Sequence, residues 1–398
     1  VCKQVAVGIM RTVNNVNAAA TKAVYFDNAA TSYPKPPSVR TAVSEAVDKY
    51  GGNPGRGGHS YSINAAKIVF ETRSTAAQMF GASVENVVFT LNCTHALNYA
   101  IKGVLKPGDR MVISSMEHNS VARPSYALSK RGVRVDVATI GRTDEETLKS
   151  FSSLITSSTK CVVCTAASNV TGRIMPIREI AQLCRKRGVC FIVDAAQAAG
   201  IIPISLADGM NFICTAGHKG LYGTTGTGLL ISDGKFTPST IIEGGTGATS
   251  AELNQTGFMP ELLESGTVNT VGIASLNAGM KFVKQTGLES IYNHEDALCE
   301  LLLERISPID EVTVYRRGDK FVPIVSFNVE GIPADALASA LSDKGYALRG
   351  GLHCAPLAHK TIRTLSDGTV RFSPSVFSSE KDVKELAELI KKFAKHGL

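Results

Sequence analysis

Phe191-Ile-Val-Asp194-Ala-Ala-Gln197-Ala-Ala-Gly200, followed by Phe212-Ile-Cys214 and Gly217-His218-Lys219-Gly220, is the stretch on which the fold of this chain turns. Both apolar runs are too short for helices and read as buried strands. An aspartate closes the first run, and a lysine stands in a glycine-rich turn just beyond the second. In open α/β sheets, ligands sit at the carboxyl ends of the strands. Asp194 and Lys219 therefore hold ligand-facing positions. From the pair alone two readings stay open. One is a structural ion pair; the other is a lysine that forms a Schiff base while the acid partners a pyridinium nitrogen.

Outward from this stretch the same texture repeats. Apolar, β-branched runs at 86–90, 110–114 and 161–165 read as further strands. Helical patterns at 38–50, 64–80, 95–105, 121–131 and 177–187 lie around and between them. Strands alternating with helices predict an α/β fold with a mostly parallel sheet covered on both faces. Near residue 275 the texture changes: the Gly- and Thr-rich passage 244–270 gives way to a helical stretch over 274–306. A strand at 324–328, a helix at 334–344 and an amphipathic helix from Glu380 complete a smaller α+β domain. The expected organisation is an extension over 1–22, a segment 23–37 joined to the small domain, a large domain over 38–275 and the small domain over 276–398.

Composition narrows the function classes. With 398 residues, 44% hydrophobic, 19% charged and 36 glycines, the chain is neither a disordered tail, a coiled coil nor a collagen-like rod. The net charge of +7 draws on Lys3, Arg11 and Lys22 in an acid-free start. Arg185-Lys186-Arg187 closes a predicted helix, where cations suit the macrodipole. No nucleic-acid partner is expected, and the absence of tryptophan fits that. No membrane partner is expected either, since no apolar run approaches the roughly 18–20 residues of a span. The acid-free start allows a cleaved targeting segment, but the apolar run 5–10 is short for a signal peptide, so 1–22 reads as a frayed extension or a truncated start. Nine cysteines, odd in number and irregular in spacing, do not form a secreted disulfide framework. A reducing, cytoplasmic setting is expected.

Three more strand-end loops carry polar groups. Asn92-Cys93-Thr94-His95 follows one strand and opens a helix, which makes either an anion site or an ordinary N-cap. Met116-Glu117-His118-Asn119-Ser120 follows the next and puts an imidazole in the same crevice, as a reactant or as a satisfied polar residue. Ala167-Ser-Asn169-Val-Thr-Gly172 follows a third. Together these loops offer what a planar, phosphorylated cofactor needs.

Here the sequence resembles a known family. Tyr25-Phe-Asp-Asn-Ala-Ala-Thr31, Glu117-His118-Asn119, Ser168-Asn169, Val193-Asp194-Ala-Ala-Gln197, Gly217-His218-Lys219 and Gly266-Thr-Val-Asn-Thr270 are similar to motifs of the class V pyridoxal-phosphate enzymes. Arg349-Gly-Gly-Leu-His353-Cys354-Ala355 narrows the resemblance to the cysteine desulfurase and selenocysteine lyase group. It runs from about Val24 to the C-terminus and implies the fold-type I architecture and pyridoxal 5'-phosphate as cofactor. By resemblance, Lys219 would hold the cofactor and shuttle the α-proton. His118 would stack on its ring, Asp194 would pair with the ring nitrogen, and Gln197 would reach the phenolic oxygen, with Asn169 close by. Thr94, His95 and His218 would surround the phosphate, with Thr270 reaching it from a partner subunit of a homodimer. Arg371 would clamp the substrate carboxylate, and Arg349 and residues 53–59 would line the entrance. Relatives often carry a hydroxyl residue just before Gly-His-Lys; here it is Ala216, and either Thr215 substitutes or phosphate affinity rests more on His218.

Cys354 is the expected nucleophile, although a small residue packed in a loop is the plainer reading of the cysteine alone. A thiolate is the reactive form, and nearby positive charge favours it. The resemblance implies that L-cysteine loses its sulfur to Cys354 as a persulfide, leaving L-alanine, and that a sulfur-acceptor protein takes the persulfide onward. L-Selenocysteine is the alternative substrate. Another class V aminotransferase or lyase and a non-catalytic sulfur-carrier scaffold are the other readings weighed. Metal binding through Cys161-Val-Val-Cys164 is not expected, because residues three apart on a strand face opposite sides. A nicotinamide dehydrogenase is excluded, since no early strand is followed by Gly-x-Gly-x-x-Gly.

Overall fold

The structure is a computed structural model that describes residues 23–398 other than Arg56 and Arg317. The extension expected over 1–22 lies outside the described residues. In chain order the strands are β1 (Val24–Tyr25), β2 (Val87–Thr90), β3 (Arg110–Ser114), β4 (Arg134–Ala138), β5 (Thr159–Thr165), β6 (Cys190–Asp194), β7 (Phe212–Ala216), β8 (Gly228–Ser232), β9 (Val312–Val314), β10 (Val325–Val329), β11 (Tyr346–Ala347) and β12 (Val370–Phe372).

Seven strands form one sheet in the order β2-β8-β7-β6-β5-β3-β4. Its pairs are parallel except those of β8, which runs antiparallel to β2 and β7. The sheet is therefore mixed and mostly parallel, as the alternation predicts. Side chains alternate between two buried faces. Val112, Val162, Cys164, Phe191, Val193 and Ile213 pack on one face, against helices Ser60–Phe80, Ile177–Lys186 and Thr270–Thr286. Met111, Cys161, Val163, Cys190, Ile192 and Cys214 pack on the other, against Cys93–Val104 and Asn119–Ser129. Cys161 and Cys164 thus lie on opposite faces and cannot share an ion.

A second, three-stranded antiparallel sheet, β12-β10-β9, packs with helices Leu288–Ile306, Ala334–Asp343 and Glu380–His396. Phe26 enters this core, and β1 pairs in parallel with β11. The helical stretch expected over 274–306 is in fact two helices. Gly287, at φ 87°, ends Thr270–Thr286 and begins Leu288–Ile306. Among the described residues no helix is long and apolar enough to cross a membrane.

Six strands of the large sheet end on one rim: β2 at Thr90, β3 at Ser114, β4 at Ala138, β5 at Thr165, β6 at Asp194 and β7 at Ala216. The turns after β6 and β7 abut backbone to backbone. A Cβ on Gly200, at φ 83°, would sit 2.1 Å from the carbonyl oxygen of Gly220. Only glycine permits that approach, and it seats the Lys219 loop.

Candidate active site

The rim encloses a cavity of about 300 Å³. Thr94, His118, Asn169, Asp194, Gln197, His218, Lys219, Arg349 and Arg371 all line it. Nine of the residues singled out from sequence are therefore brought together, although they come from loops spread over most of the chain.

Lys219 is held by its backbone. The carbonyl of His218 accepts hydrogen bonds from Ser32 N–H (3.0 Å), Thr31 Oγ1 (3.1 Å) and Lys35 Nζ (2.9 Å), and Ser32 Oγ reaches the carbonyl of Lys219 at 3.0 Å. The Tyr25–Thr31 motif and its continuation thus clamp the lysine loop from outside the sheet. The Lys219 amine forms no hydrogen bond or ion pair among the described residues. Burial lowers its pKa, which the nearby Asp194 carboxylate and Cys93 oppose only in part. A neutral amine is the nucleophilic form.

Asp194 closes β6, and its Oδ1 accepts from Ala196 N–H at 2.9 Å. His118 caps the helix that follows it: its Nδ1 accepts from Ser120 N–H at 3.0 Å. That leaves Nε2 to carry the ring proton of the neutral form. Burial pushes the imidazole down to about 4, although Asp194 pulls the other way. Thr94 Oγ1 meets Ser120 Oγ at 2.7 Å, which joins two loops of the cavity wall. His218 is likewise pushed down to about 4, first by burial, and its Nδ1 is buried without a partner. The amide of Gln197 donates to the carbonyl of Ala29 at 2.9 Å.

Arg371 is buried at 1% exposure on β12. Its Nη2 donates to Asp27 Oδ1 at 2.6 Å and its Nη1 to the carbonyl of Asn169 at 3.0 Å, while Nε has no partner. Asn169 also donates from Nδ2 to the carbonyl of His353 at 2.8 Å, linking the arginine to the cysteine loop. In that loop His353 (φ 47°) and Cys354 (φ 57°) both take the left-handed conformation, which L-residues adopt at a cost. Two contacts hold it there: His353 Nε2 meets the carbonyl of Thr369 at 2.9 Å, and Asn119 N–H donates to the carbonyl of Cys354 at 2.7 Å. The result turns the thiol outward. Among the described cysteines Cys354 alone is exposed. Its Sγ lies 3.8 Å from Nη2 of Arg349, which lines the cavity.

Several expectations need correction. His95 does not line this cavity. It follows Thr94 on a helix, and consecutive helical residues point about 100° apart. Its Nδ1 accepts from Leu91 N–H at 3.2 Å, its ring packs on Tyr99, and it faces a neighbouring cavity with Gly266 and Asn269. Thr270 needs no such correction: it begins its helix outside this chain's cavity, and its expected place is in a partner subunit's site. Thr215 cannot stand in for the missing hydroxyl at Ala216: on a strand the two point to opposite faces, and Thr215 Oγ1 turns to the carbonyl of Ala195. Of the residues expected at the entrance, Asn53 bonds Thr267 and His59 caps a helix, neither is in the cavity lining, and Arg56 lies outside the described residues. Asp27, Ser32, Lys35 and Ser120 are the contributors missed. Asp27 and Ser120 stood inside quoted motifs, but only their three-dimensional partners reveal what they do.

The comparisons agree with this geometry. Residues 24–386 match the family described as Aminotransferase class-V. A probable cysteine desulfurase of Methanothermobacter thermautotrophicus is 30% identical over 94% of this chain and 95% of its own length. One of Pyrococcus abyssi is 31% identical over 94% of each. The apo structure of a cysteine desulfurase from Thermococcus onnurineus NA1 superposes with a TM-score of 0.87 at 32% identity, covering 95% of this chain and 96% of that one. From motifs, fold and cavity to relatives, the lines meet at one place: the chain belongs to the class-V aminotransferase family, in its cysteine desulfurase group.

Proposed function

We propose that the chain is a pyridoxal-phosphate-dependent cysteine desulfurase that converts L-cysteine to L-alanine and carries the sulfur on Cys354 as a persulfide for an acceptor protein. One observation carries the reading. An unpaired buried amine, Lys219, shares a cavity with a buried arginine, Arg371, and the one exposed thiol among the described cysteines, Cys354, stands beside the cavity-lining Arg349.

The residues fit the cofactor. His218 Nδ1 is a buried polar atom without a partner, suited to phosphate, and Thr94 with the start of helix Cys93–Val104 adds donors. Asp194 suits a ring nitrogen, His118 a ring face and Lys219 a Schiff base. Bound there, pyridoxal phosphate supplies an electron sink for the pair released at the substrate α-carbon.

The chain's own groups do the rest. Arg371, oriented by Asp27 and Asn169, offers its free Nε edge to the substrate carboxylate. Lys219, as the neutral buried amine, would take the α-proton and later return one. The Cys354 thiolate attacks the substrate sulfur: an S–S bond forms, the Cβ–S bond breaks, and the bonding pair passes to the carbon skeleton, which is protonated to alanine. Arg349 accompanies the anionic sulfur. The overall balance is L-cysteine plus Cys354 thiol giving L-alanine plus Cys354 persulfide.

The homodimer, with Thr270 and His95 turned toward a partner's site, belongs to the same proposal. Exposed Tyr61, Phe70, Leu91 and Phe258 support it. The division into bodies 38–275 and 276–398, with 23–37 on the smaller one, and a cytoplasmic setting are part of it too. Incubation with L-cysteine and a reductant tests the function: sulfide and alanine must appear in equal amounts.

A further inference from the structure

The cavity wall itself holds a thiol, separate from Cys354, which is not among its lining residues. Cys93, the first residue of helix Cys93–Val104, is 6% exposed, and its Sγ lies 3.4 Å from Oδ1 of Asp194. The same oxygen accepts the N–H of Ala196 at 2.9 Å. One carboxylate oxygen is thus tied by two donors, one from the turn after β6 and one from the helix after β2. The other oxygen has no hydrogen-bond partner among the described residues.

We infer that Cys93 is a positioning residue whose S–H pins Oδ1 of Asp194 and so turns the second oxygen toward the cavity, where the cofactor's ring nitrogen would meet it. This rests on the proposed function. The thiol can serve as a donor only while protonated. Burial, with the Asp194 charge beside it, pushes Cys93 well above the ordinary thiol range, so the proton stays on sulfur. The same protonation withdraws Cys93 from sulfur chemistry, because the thiolate is the nucleophile. Two cysteines stand near one site, and their surroundings divide the work: one holds a carboxylate, the other takes sulfur. Lys219, His118, Glu117, Cys164 and Cys214 are the other titratable groups that act on Asp194, and none of them bonds Oδ1.

The test uses the cofactor-loaded protein and reads the pH midpoint of its visible absorption band, with cofactor retention measured alongside. Cys93→Ala removes the donor and Cys93→Val removes it while filling the space. Cys93→Ser keeps a hydroxyl donor. With one donor fewer, Asp194 directs more negative charge at the cofactor. Alanine and valine are expected to raise the midpoint by about half a pH unit, and serine to fall between them and the parent. Midpoints for alanine and valine that coincide with the parent's overturn the inference. So does a serine midpoint displaced as far as valine's. Should alanine fail to fold, valine and serine still decide. A parent protein without any visible band would instead count against the proposed function, so the two failures are distinguishable.

Discussion

Asp27 and Arg371, 344 positions apart in the chain, meet at 2.6 Å in the cavity wall. The acid arrives from the segment that follows β1 and the arginine from β12, so the pair closes the site between the two ends of the described chain. The guanidinium is fully desolvated, and a lone buried charge would be costly. Asp27 answers that cost and leaves Nε for an incoming carboxylate. Arg371→Lys keeps the charge but loses the planar fork, so KM for cysteine should rise roughly tenfold or more. kcat should change far less. Steady-state kinetics check this; an unchanged KM would place the carboxylate elsewhere.

Ala216 lines the cavity at the end of β7, where relatives often carry a hydroxyl. Ala216→Ser would add a donor beside His218. Cofactor dissociation, followed by absorbance after dilution, should become roughly two- to tenfold weaker in extent, the worth of one hydrogen bond. No gain in retention would mean the phosphate sits away from residue 216.

Glu295 is buried behind the lysine loop, where its carboxylate oxygen lies 3.4 Å from the Tyr222 hydroxyl. Burial raises its pKa to about 8. The native state therefore holds this proton more tightly than the unfolded chain. That contribution to stability is full below the unfolded value and is lost as pH climbs through about 8. Glu117, also raised to about 8, has the same sign. Glu295→Gln stays neutral and keeps an acceptor for Tyr222. Its melting temperature relative to the parent should climb between acidic pH and about 8 and then level off. A pH-independent difference would show that the acid is already ionised at low pH.

How far the sequence reached can be judged from single residues. Asp194 and Lys219 were legible because an apolar run marks a strand and its end marks the rim. Cys161 and Cys164 were legible for the same reason, since period two separates them. β4 was not read, because Arg134 and Asp136 interrupt its apolar pattern at the sheet edge. β8 went unread beside its Gly-rich approach, and nothing local marks it as antiparallel. Gly287 was missed as a helix break because apolar spacing continues on both sides. His95 was misplaced because a motif names neighbours while a helix turns them apart. The Asp27–Arg371 and Cys93–Asp194 contacts join distant segments, and only the folded chain brings them together.

The central claim is that sulfur passes from L-cysteine to Cys354 with Lys219 moving the proton. Its most direct test is mass spectrometry of the protein after L-cysteine without reductant, on the parent, Cys354→Ala and Lys219→Ala. The account predicts one added sulfur atom on the Cys354 peptide of the parent, and none on either variant. Cys354→Ala should keep its visible cofactor band and Lys219→Ala should lose it. Sulfur found on another cysteine, or sulfide released by Cys354→Ala at the parent's rate, would contradict it.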